Sequence, residues 1–177
     1  MQRVPLSKNS INRRSFIAMT LLAGSGPVAA QITAPGGTSV PDLEGTSADG
    51  KRLRLVDFRG RVVLVFYWAT GCPVCRDKMR ELRANLMGWQ SQPFTLLGVN
   101  MDMRRQDWLD YERLVAQSIP AGQRFDSVWA GGSDFRDTMG RPTQLPSACV
   151  IDKNGILVEQ YRGRVPVEAW NRIADLI

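Results

Sequence analysis

Two cysteines separated by two residues are the clearest chemical feature of the sequence. Cys72 and Cys75 follow directly on the apolar run of residues 62–68, which predicts a strand buried on both faces. The pair therefore lies where a strand gives way to a helix. The unpaired N–H groups of a first helical turn favour negative charge and would stabilise a thiolate at Cys72. The spacing predicts reactive sulfur at this junction.

The composition excludes several other kinds of chemistry. The chain of 177 residues contains no histidine, which excludes Ser-His-Asp and Cys-His mechanisms and any zinc or copper site with histidine ligands. The formal net charge is +6, but four basic residues and no acidic residue lie within residues 1–30. The remainder has 19 basic and 17 acidic residues, an excess too small to indicate nucleic acid or an anionic membrane as a partner.

Residues 1–30 have the order of an export signal. A basic part ends at Arg13 and Arg14, an apolar run begins at Phe16, and small residues lead up to Ala30. This order predicts cleavage near Ala30. The arginine pair resembles a twin-arginine signal, with a general secretory signal as the alternative. We therefore expect a soluble protein in the periplasm or another extracytoplasmic space, where a cysteine pair can cycle as a disulfide.

The rest of the chain predicts a flexible leader at residues 31–40 and one domain at 41–177. Its patterns favour alternating strands and helices, followed by a hairpin around Asn154 and Gly155. The helices are expected at residues 73–90, 106–119 and 133–139, and from Pro166 onward with Val167, Trp170, Ile173, Ala174 and Ile177 on one face. The strands are expected at residues 51–55, 62–68, 94–99, 124–129, 148–151 and 156–161.

Three segments together resemble a known family. They are the motif at residues 68–75, the turns at 49–51 and 59–61 before it, and residues 145–155 after it. They are similar to the TlpA/ResA/CcmG-like (DsbE-like) thioredoxin-fold proteins of the bacterial cell envelope, and the similarity covers residues 41–177. It implies an α/β thioredoxin fold whose central mixed β-sheet is flanked by helices, with an N-terminal extension and a TlpA-type insertion around residues 100–130. The implied activity is that of a protein disulfide reductase or interchange enzyme.

The resemblance also implies a role for individual residues. Cys72 would attack a partner protein and form the mixed disulfide, and the more buried Cys75 would resolve it. Pro146 corresponds to the family's cis-proline beside the pair. The residues expected to contact substrate, with Trp68 supporting the site from its strand, are Trp68, Gly71, Pro73, Val74, Gln144 and Leu145. No cofactor is expected beyond the Cys72–Cys75 disulfide.

The same resemblance implies the partners. These are a membrane electron donor of the DsbD/CcdA type and proteins with thiols or disulfides, such as apocytochrome c during cytochrome c maturation. We expect a monomer that does not bind nucleic acid.

Several positions depart from the family pattern. Gly71 stands where relatives often have tryptophan. Lys78 replaces a glutamate that assists proton transfer in many members, and Phe66 replaces the aspartate of thioredoxin itself. No proton acceptor for Cys75 can therefore be named, and Asp77 is expected on the solvated surface of the helix.

Two further groups of residues have alternative interpretations. Arg76, Lys78, Arg80 and Arg83 could form a positive collar around Cys72, although we favour a solvated helix face. Cys149 could complete a three-thiolate metal site, but a buried and unpaired cysteine is the simpler expectation.

Met101 and Met103 could bind Cu(I), or could simply lie on one face of a strand end. A copper- or zinc-handling thiol protein and a non-catalytic binding module thus remain alternatives to the enzyme. A peroxidase is disfavoured because the Thr-x-x-Cys spacing of peroxide-reducing relatives is absent.

Overall fold

A computed structural model describes residues 40–177; the predicted export signal and most of the leader lie outside this range. The strands are β1 (Leu43–Thr46), β2 (Arg52–Arg54), β3 (Val62–Trp68), β4 (Phe94–Asn100), β5 (Ser127–Trp129), β6 (Arg136–Asp137), β7 (Ser147–Ile151) and β8 (Leu157–Arg162). The α-helices are α1 (Pro73–Gly88), α2 (Arg105–Ser118) and α3 (Glu168–Leu176). None of these helices has the length and apolar character needed to cross a membrane.

The central sheet has five strands in the order β5-β4-β3-β7-β8. Strand β3 pairs in parallel with β4 and antiparallel with β7, so the sheet is mixed, as the resemblance implied. Every residue of β3 is buried, which confirms the prediction from its continuous apolar character. Because β3 and β4 are parallel, the segments that follow Trp68 and Asn100 meet at the same edge of the sheet. The cysteine pair begins at this edge.

The two faces of the central sheet pack against different elements. Phe66 and Trp68 face a core that includes Leu82 of α1 and Ile173 of α3. The residues that alternate with them in β3, such as Tyr67, face a second core formed with β1 and β2. Each large apolar side chain buried in this way contributes roughly 1.5–3 kcal/mol. The packing on both faces fixes the strand from which the cysteines project.

The helix predicted at residues 133–139 is absent, and that prediction is wrong. Strand β6 replaces it and pairs with β1 in a small sheet of order β2-β1-β6. Polar side chains on either side of β6 bond to the N-terminal part of the domain: Thr46 donates to the Asp134 carboxylate, and the Asp42 amide donates to Thr138 Oγ1 at 2.8 Å. Aspartate and threonine bond readily to nearby backbone and side-chain groups, which competes with helix formation.

The other predicted elements are present with shifted ends. Helices α1 and α2 agree with prediction to within two residues, and strand 51–55 shortens to β2 because a 3₁₀ turn begins at Leu55. Helix α3 begins only at Glu168, so its buried residues are Ala169, Trp170 and Ile173. Val167 and Ala174 are exposed, contrary to the predicted apolar face. The predicted hairpin joins β7 to β8 through Gly155, whose φ of +73° suits glycine.

Candidate redox-active site

Cys72 and Cys75 form a disulfide at the start of α1, with their Cα atoms 5.2 Å apart. Cys72 is the N-cap residue, and its Sγ accepts a hydrogen bond from the Cys75 amide at 3.1 Å. Pro73 occupies the first helical turn, where its missing N–H costs nothing. An amide of the first turn therefore points at the sulfur of Cys72, which is the arrangement that stabilises a thiolate at a helix N-terminus.

The two cysteines differ in accessibility. Cys75 is fully buried against the core that contains Leu82, whereas Cys72 is only partly buried. A partner protein could therefore reach the sulfur of Cys72 and not that of Cys75. This asymmetry is the one that the sequence predicted for an attacking and a resolving cysteine.

The cis-proline loop lies at the same edge of the central sheet as the cysteine pair. The Leu145–Pro146 peptide bond is cis, as the resemblance implied. Pro146 is buried, and the next residue, Ser147, pairs with Tyr67 near the end of β3. The Ser147 hydroxyl donates to the Gln144 carbonyl at 2.7 Å and so closes the loop. Leu145 packs against the same core as Cys75.

The residues predicted to contact substrate fall into two groups. Gly71, Pro73, Val74 and Gln144 are exposed and Leu145 is partly exposed, so contact with a partner stays a prediction for them. Trp68 is completely buried, and its inclusion among the contact residues is corrected. It supports the site from beneath, with its ring 4.7 Å from that of Tyr111. Its Nε1 has no hydrogen-bond partner within residues 40–177.

Asp102 holds the loop that carries Cys72, and the sequence did not reveal this. Its carboxylate accepts the Thr70 amide, at 3.0 and 3.2 Å to the two oxygens, and the Asn100 Nδ2 at 2.8 Å. The Trp129 indole donates to the Asp102 carbonyl at 2.7 Å. Asn100 is fully buried. The available signal was a polar residue at the end of a buried strand, Asn100, followed two positions later by Asp102.

Lys78 and Arg83 are buried, so the preferred interpretation of a solvated helix face is wrong for them. Lys78 is 2% exposed, and its Nζ lies 2.6 Å from the Glu81 carboxylate and 5.8 Å from the centre of the Trp170 ring. Trp170 also donates to Glu81. Burial raises the pKa of Glu81, but the hydrogen bonds from Lys78 and Trp170 outweigh burial and hold it below its usual value. Arg83 lies 5.4 Å from the ring of Phe125.

The other charged residues of α1 are solvated. Arg76 and Arg80 are exposed, as the solvated-face interpretation requires. Asp77 is also on the surface, as expected, and pairs with Arg164 at 2.8 Å. The helix therefore has two buried and two exposed cations.

Cys149 is buried and forms no disulfide within the described chain, as predicted. It faces the second core, on the opposite side of the sheet from Cys75, which excludes a three-thiolate site. Burial and the nearby Asp137 charge raise the pKa of its thiol to about 11. Tyr67 donates its hydroxyl to Asp137 at 2.8 Å. Burial raises the pKa of Asp137 as well.

Met101 and Met103 do not lie on one face of a strand. Both residues follow the end of β4 at Asn100, and Met101 packs against the second core while Met103 is 97% exposed. The prediction that they lie on one face of a strand is therefore wrong. Between residues 40 and 177, no three histidine, cysteine, aspartate or glutamate side chains are placed to hold a metal ion.

An oxidisable pair with one accessible sulfur, set against a cis-proline on a mixed sheet, is the arrangement of thioredoxin-fold thiol-disulfide oxidoreductases, here of the TlpA/ResA/CcmG type. Comparison with known proteins agrees. The chain belongs to the AhpC/TSA family, whose model matches residues 37–160.

Two relatives and one solved structure illustrate the similarity. The thiol-disulfide oxidoreductase ResA of Geobacillus thermodenitrificans is 27% identical over 135 residues, covering 75% of this chain and 72% of its own. A Mycobacterium tuberculosis protein provisionally named a peroxiredoxin is 27% identical over 146 residues, covering 79% and 90%. The crystal structure of a thiol:disulfide interchange protein from Chlorobium tepidum has a TM-score of 0.61 at 21% identity and covers 78% and 94%; this likeness shows the fold.

Proposed function

We propose that the protein reduces disulfides of other proteins in the cell envelope through Cys72 and Cys75. The observation that carries this proposal is the unequal accessibility of two cysteines joined in one disulfide. In the reduced enzyme, the Cys72 thiolate attacks a partner disulfide, forms the Cys72–partner disulfide and releases one partner thiolate. Cys75 then attacks the Cys72 sulfur, which forms the Cys72–Cys75 disulfide and releases the second partner thiol. Two electrons pass to the partner.

The reducing direction requires a donor that restores the dithiol. A membrane protein of the DsbD/CcdA type is the donor we propose, and apocytochrome c or another thiol protein of the envelope is the proposed substrate. The support is the resemblance to ResA-type proteins and the signal-like order of residues 1–30. Export is tested by fractionating cells that make the full chain. Replacing Arg13 and Arg14 with lysine should retain the protein inside if the twin-arginine route is used.

The central experiment is an insulin-reduction assay with the purified protein. Cys72→Ser should abolish activity because it removes the only sulfur of the pair that a partner can reach. Cys75→Ser should instead accumulate a mixed disulfide with the partner, visible as a mass shift under non-reducing conditions. Cys149→Ser is the matched control and should keep activity, since this residue lies on the opposite face of the sheet. Full activity of Cys72→Ser would refute the assignment.

A peroxidase is the second candidate, and the peroxiredoxin-named relative favours it. The same preparations should therefore be tested for thiol-dependent consumption of hydrogen peroxide. A thiol-disulfide oxidoreductase should reduce insulin much faster than peroxide. Rapid peroxide turnover without measurable insulin reduction would favour the peroxidase over the thiol-disulfide oxidoreductase. Metal that co-purifies stoichiometrically and is lost in Cys72→Ser would support metal handling instead.

A further inference from the structure

Four exposed arginines that form no ion pair within residues 40–177 lie in segments at the edge of the sheet where Cys72 lies. They come from four different parts of the fold and are Arg76, Arg105, Arg141 and Arg162. Every ion pair found in the described part of the chain uses other arginines or lysines. These four guanidinium groups are therefore free to meet carboxylates from outside the chain.

Each arginine is tied to the site by a contact of its own segment. Arg76 is one helical turn after Cys72, and its amide donates to the Cys72 carbonyl at 3.1 Å. Arg105 begins α2, three residues after the Asp102 side chain that holds Thr70.

The other two arginines flank the cis-proline loop. Arg162 pairs across the sheet with Ser147, the residue after the cis-proline. Arg141 precedes the cis-proline in the same loop, and both arginines line one cavity together with Ser147. All four arginines therefore belong to segments at the edge of the sheet where Cys72 lies.

The positive charge of the described chain is concentrated at this end. The segments that meet around Cys72 are residues 69–81, 101–107, 139–147 and 161–165, and they contain eight basic and four acidic residues. The rest of residues 40–177 contains 11 basic and 13 acidic residues. A net charge of +4 at the site thus contrasts with −2 elsewhere, although the two parts together carry only +2.

The four acidic residues near the site already have partners. Asp77 pairs with Arg164, Asp107 pairs with Arg104, and Glu81 pairs with the buried Lys78. The fourth, Asp102, is hydrogen-bonded to the Thr70 amide. None of them neutralises the four free arginines, so the excess charge faces solvent.

We propose that protein partners dock here through an acidic segment next to the cysteine that exchanges with Cys72. This inference rests on the proposed function and names its substrate class. Arginine binds carboxylates with paired, charge-assisted hydrogen bonds, and a positive surface raises the rate at which acidic partners arrive. Met103, 97% exposed, and Val74, 40% exposed, add apolar contact beside the charges.

Two disulfide-containing peptides test the proposal. They should be identical except that aspartate and glutamate in one are replaced by lysine in the other. At low ionic strength, the reduced enzyme should turn over the acidic peptide about tenfold faster in kcat/KM, and the difference should shrink at about 0.5 M salt because screening shortens the range of charge interactions. Equal rates for both peptides at low salt would overturn the proposal.

Charge reversal localises the effect. The double variant Arg141→Glu/Arg162→Glu should abolish or invert the preference, and Arg76 is left unchanged because it lies one helical turn from Cys72, on the helix that carries both cysteines. Arg59→Glu is the matched control: Arg59 is exposed and precedes β3, whose length places it about 20 Å from the cysteine end of that strand. The control should keep the preference. A preference that survives in the double variant, or that is lost equally in Arg59→Glu, would overturn the assignment.

A binding measurement separates this proposal from the proposed function. Fluorescence anisotropy with a labelled, cysteine-free acidic peptide requires no redox step. Binding that depends on Arg141 and Arg162 supports the surface even if disulfide exchange is absent. Disulfide exchange that shows no preference for the acidic peptide would reject the proposed docking surface and leave the proposed enzymatic function intact. Sedimentation with phosphatidylglycerol vesicles tests a membrane instead: vesicle binding that requires the same arginines, without peptide preference, would overturn docking by an acidic protein segment.

Discussion

Replacing Asp102 with alanine tests how the loop before Cys72 is held in place. The Asp102 carboxylate accepts the backbone N–H of Thr70, two residues before Cys72, and the side-chain N–H of Asn100 at the end of β4. One side chain therefore ties the cysteine loop to the neighbouring strand. Alanine removes these acceptors and leaves the fully buried amide group of Asn100 without its partner.

The expected cost follows from these contacts. A hydrogen bond to a charged group contributes about 1.5–3 kcal/mol, and a buried donor left without a partner costs about 1–3 kcal/mol. Because Asp102 is only partly buried, water can reach the Thr70 amide, and the lower ends of these ranges apply. We expect Asp102→Ala to lower the free energy of unfolding by about 3 kcal/mol. For a domain of this size the melting temperature should fall by about 10 °C.

Urea denaturation of the oxidised protein measures this loss. Hydrogen exchange at the Thr70 amide reports directly on its hydrogen bond to the Asp102 carboxylate, which we call the Asp102 clamp. Asp110→Ala is the control, because Asp110 is an exposed carboxylate whose pair with Arg113, at 2.8 Å, lies on the surface of α2. Such pairs contribute less than about 1 kcal/mol. Insulin reduction by Asp102→Ala should also slow, since the loop no longer holds Cys72 in one position. Equal stability of the two variants, with unchanged protection of the Thr70 amide, would refute the clamp.

Two further predictions concern the second core. Cys149 should resist iodoacetamide at pH 8 in the native protein and react in urea, because it is buried and its thiol has a pKa of about 11; rapid native labelling, read by mass spectrometry, would contradict this. Burial raises the pKa of Asp137 above its ordinary value of 3.8, so the folded state binds this proton more tightly than the unfolded state. Its stabilising effect is complete below that ordinary value and is lost as the pH rises through the folded value. Urea titrations from pH 3 to 7 should show wild type losing stability relative to Asp137→Asn; a constant difference would contradict the assignment.

The predictions that succeeded depend on local sequence. A strand buried on both faces needs a continuous apolar run, and β3 has one over seven residues. An amphipathic helix needs apolar residues every three or four positions, and Met79 and Leu82 supply them in α1. The cysteines follow the strand immediately, so their place at the junction required no knowledge of distant residues.

The features that were missed depend on residues far apart in the chain. Residues 133–139 form no helix because β6 pairs with β1, more than 90 residues earlier. The Asp102 clamp joins residues 32 positions apart, Thr70 and Asp102. In each case a polar side chain found a partner that local periodicity cannot identify. Propensity alone then gives the wrong element or no signal.

Lys78 shows a signal that local sequence did contain. It lies on the stripe of α1 that also carries Cys75, Met79 and Leu82, so the spacing that predicts the helix also places the lysine on the buried face. A buried ammonium group is costly unless it is paired, and Glu81 provides that pair. Side chains three residues apart on a helix are neighbours, so Lys78 and Glu81 are placed to meet and the charge of the ammonium group is balanced there. Position 78 therefore carries a buried, paired cation where many relatives have a carboxylate.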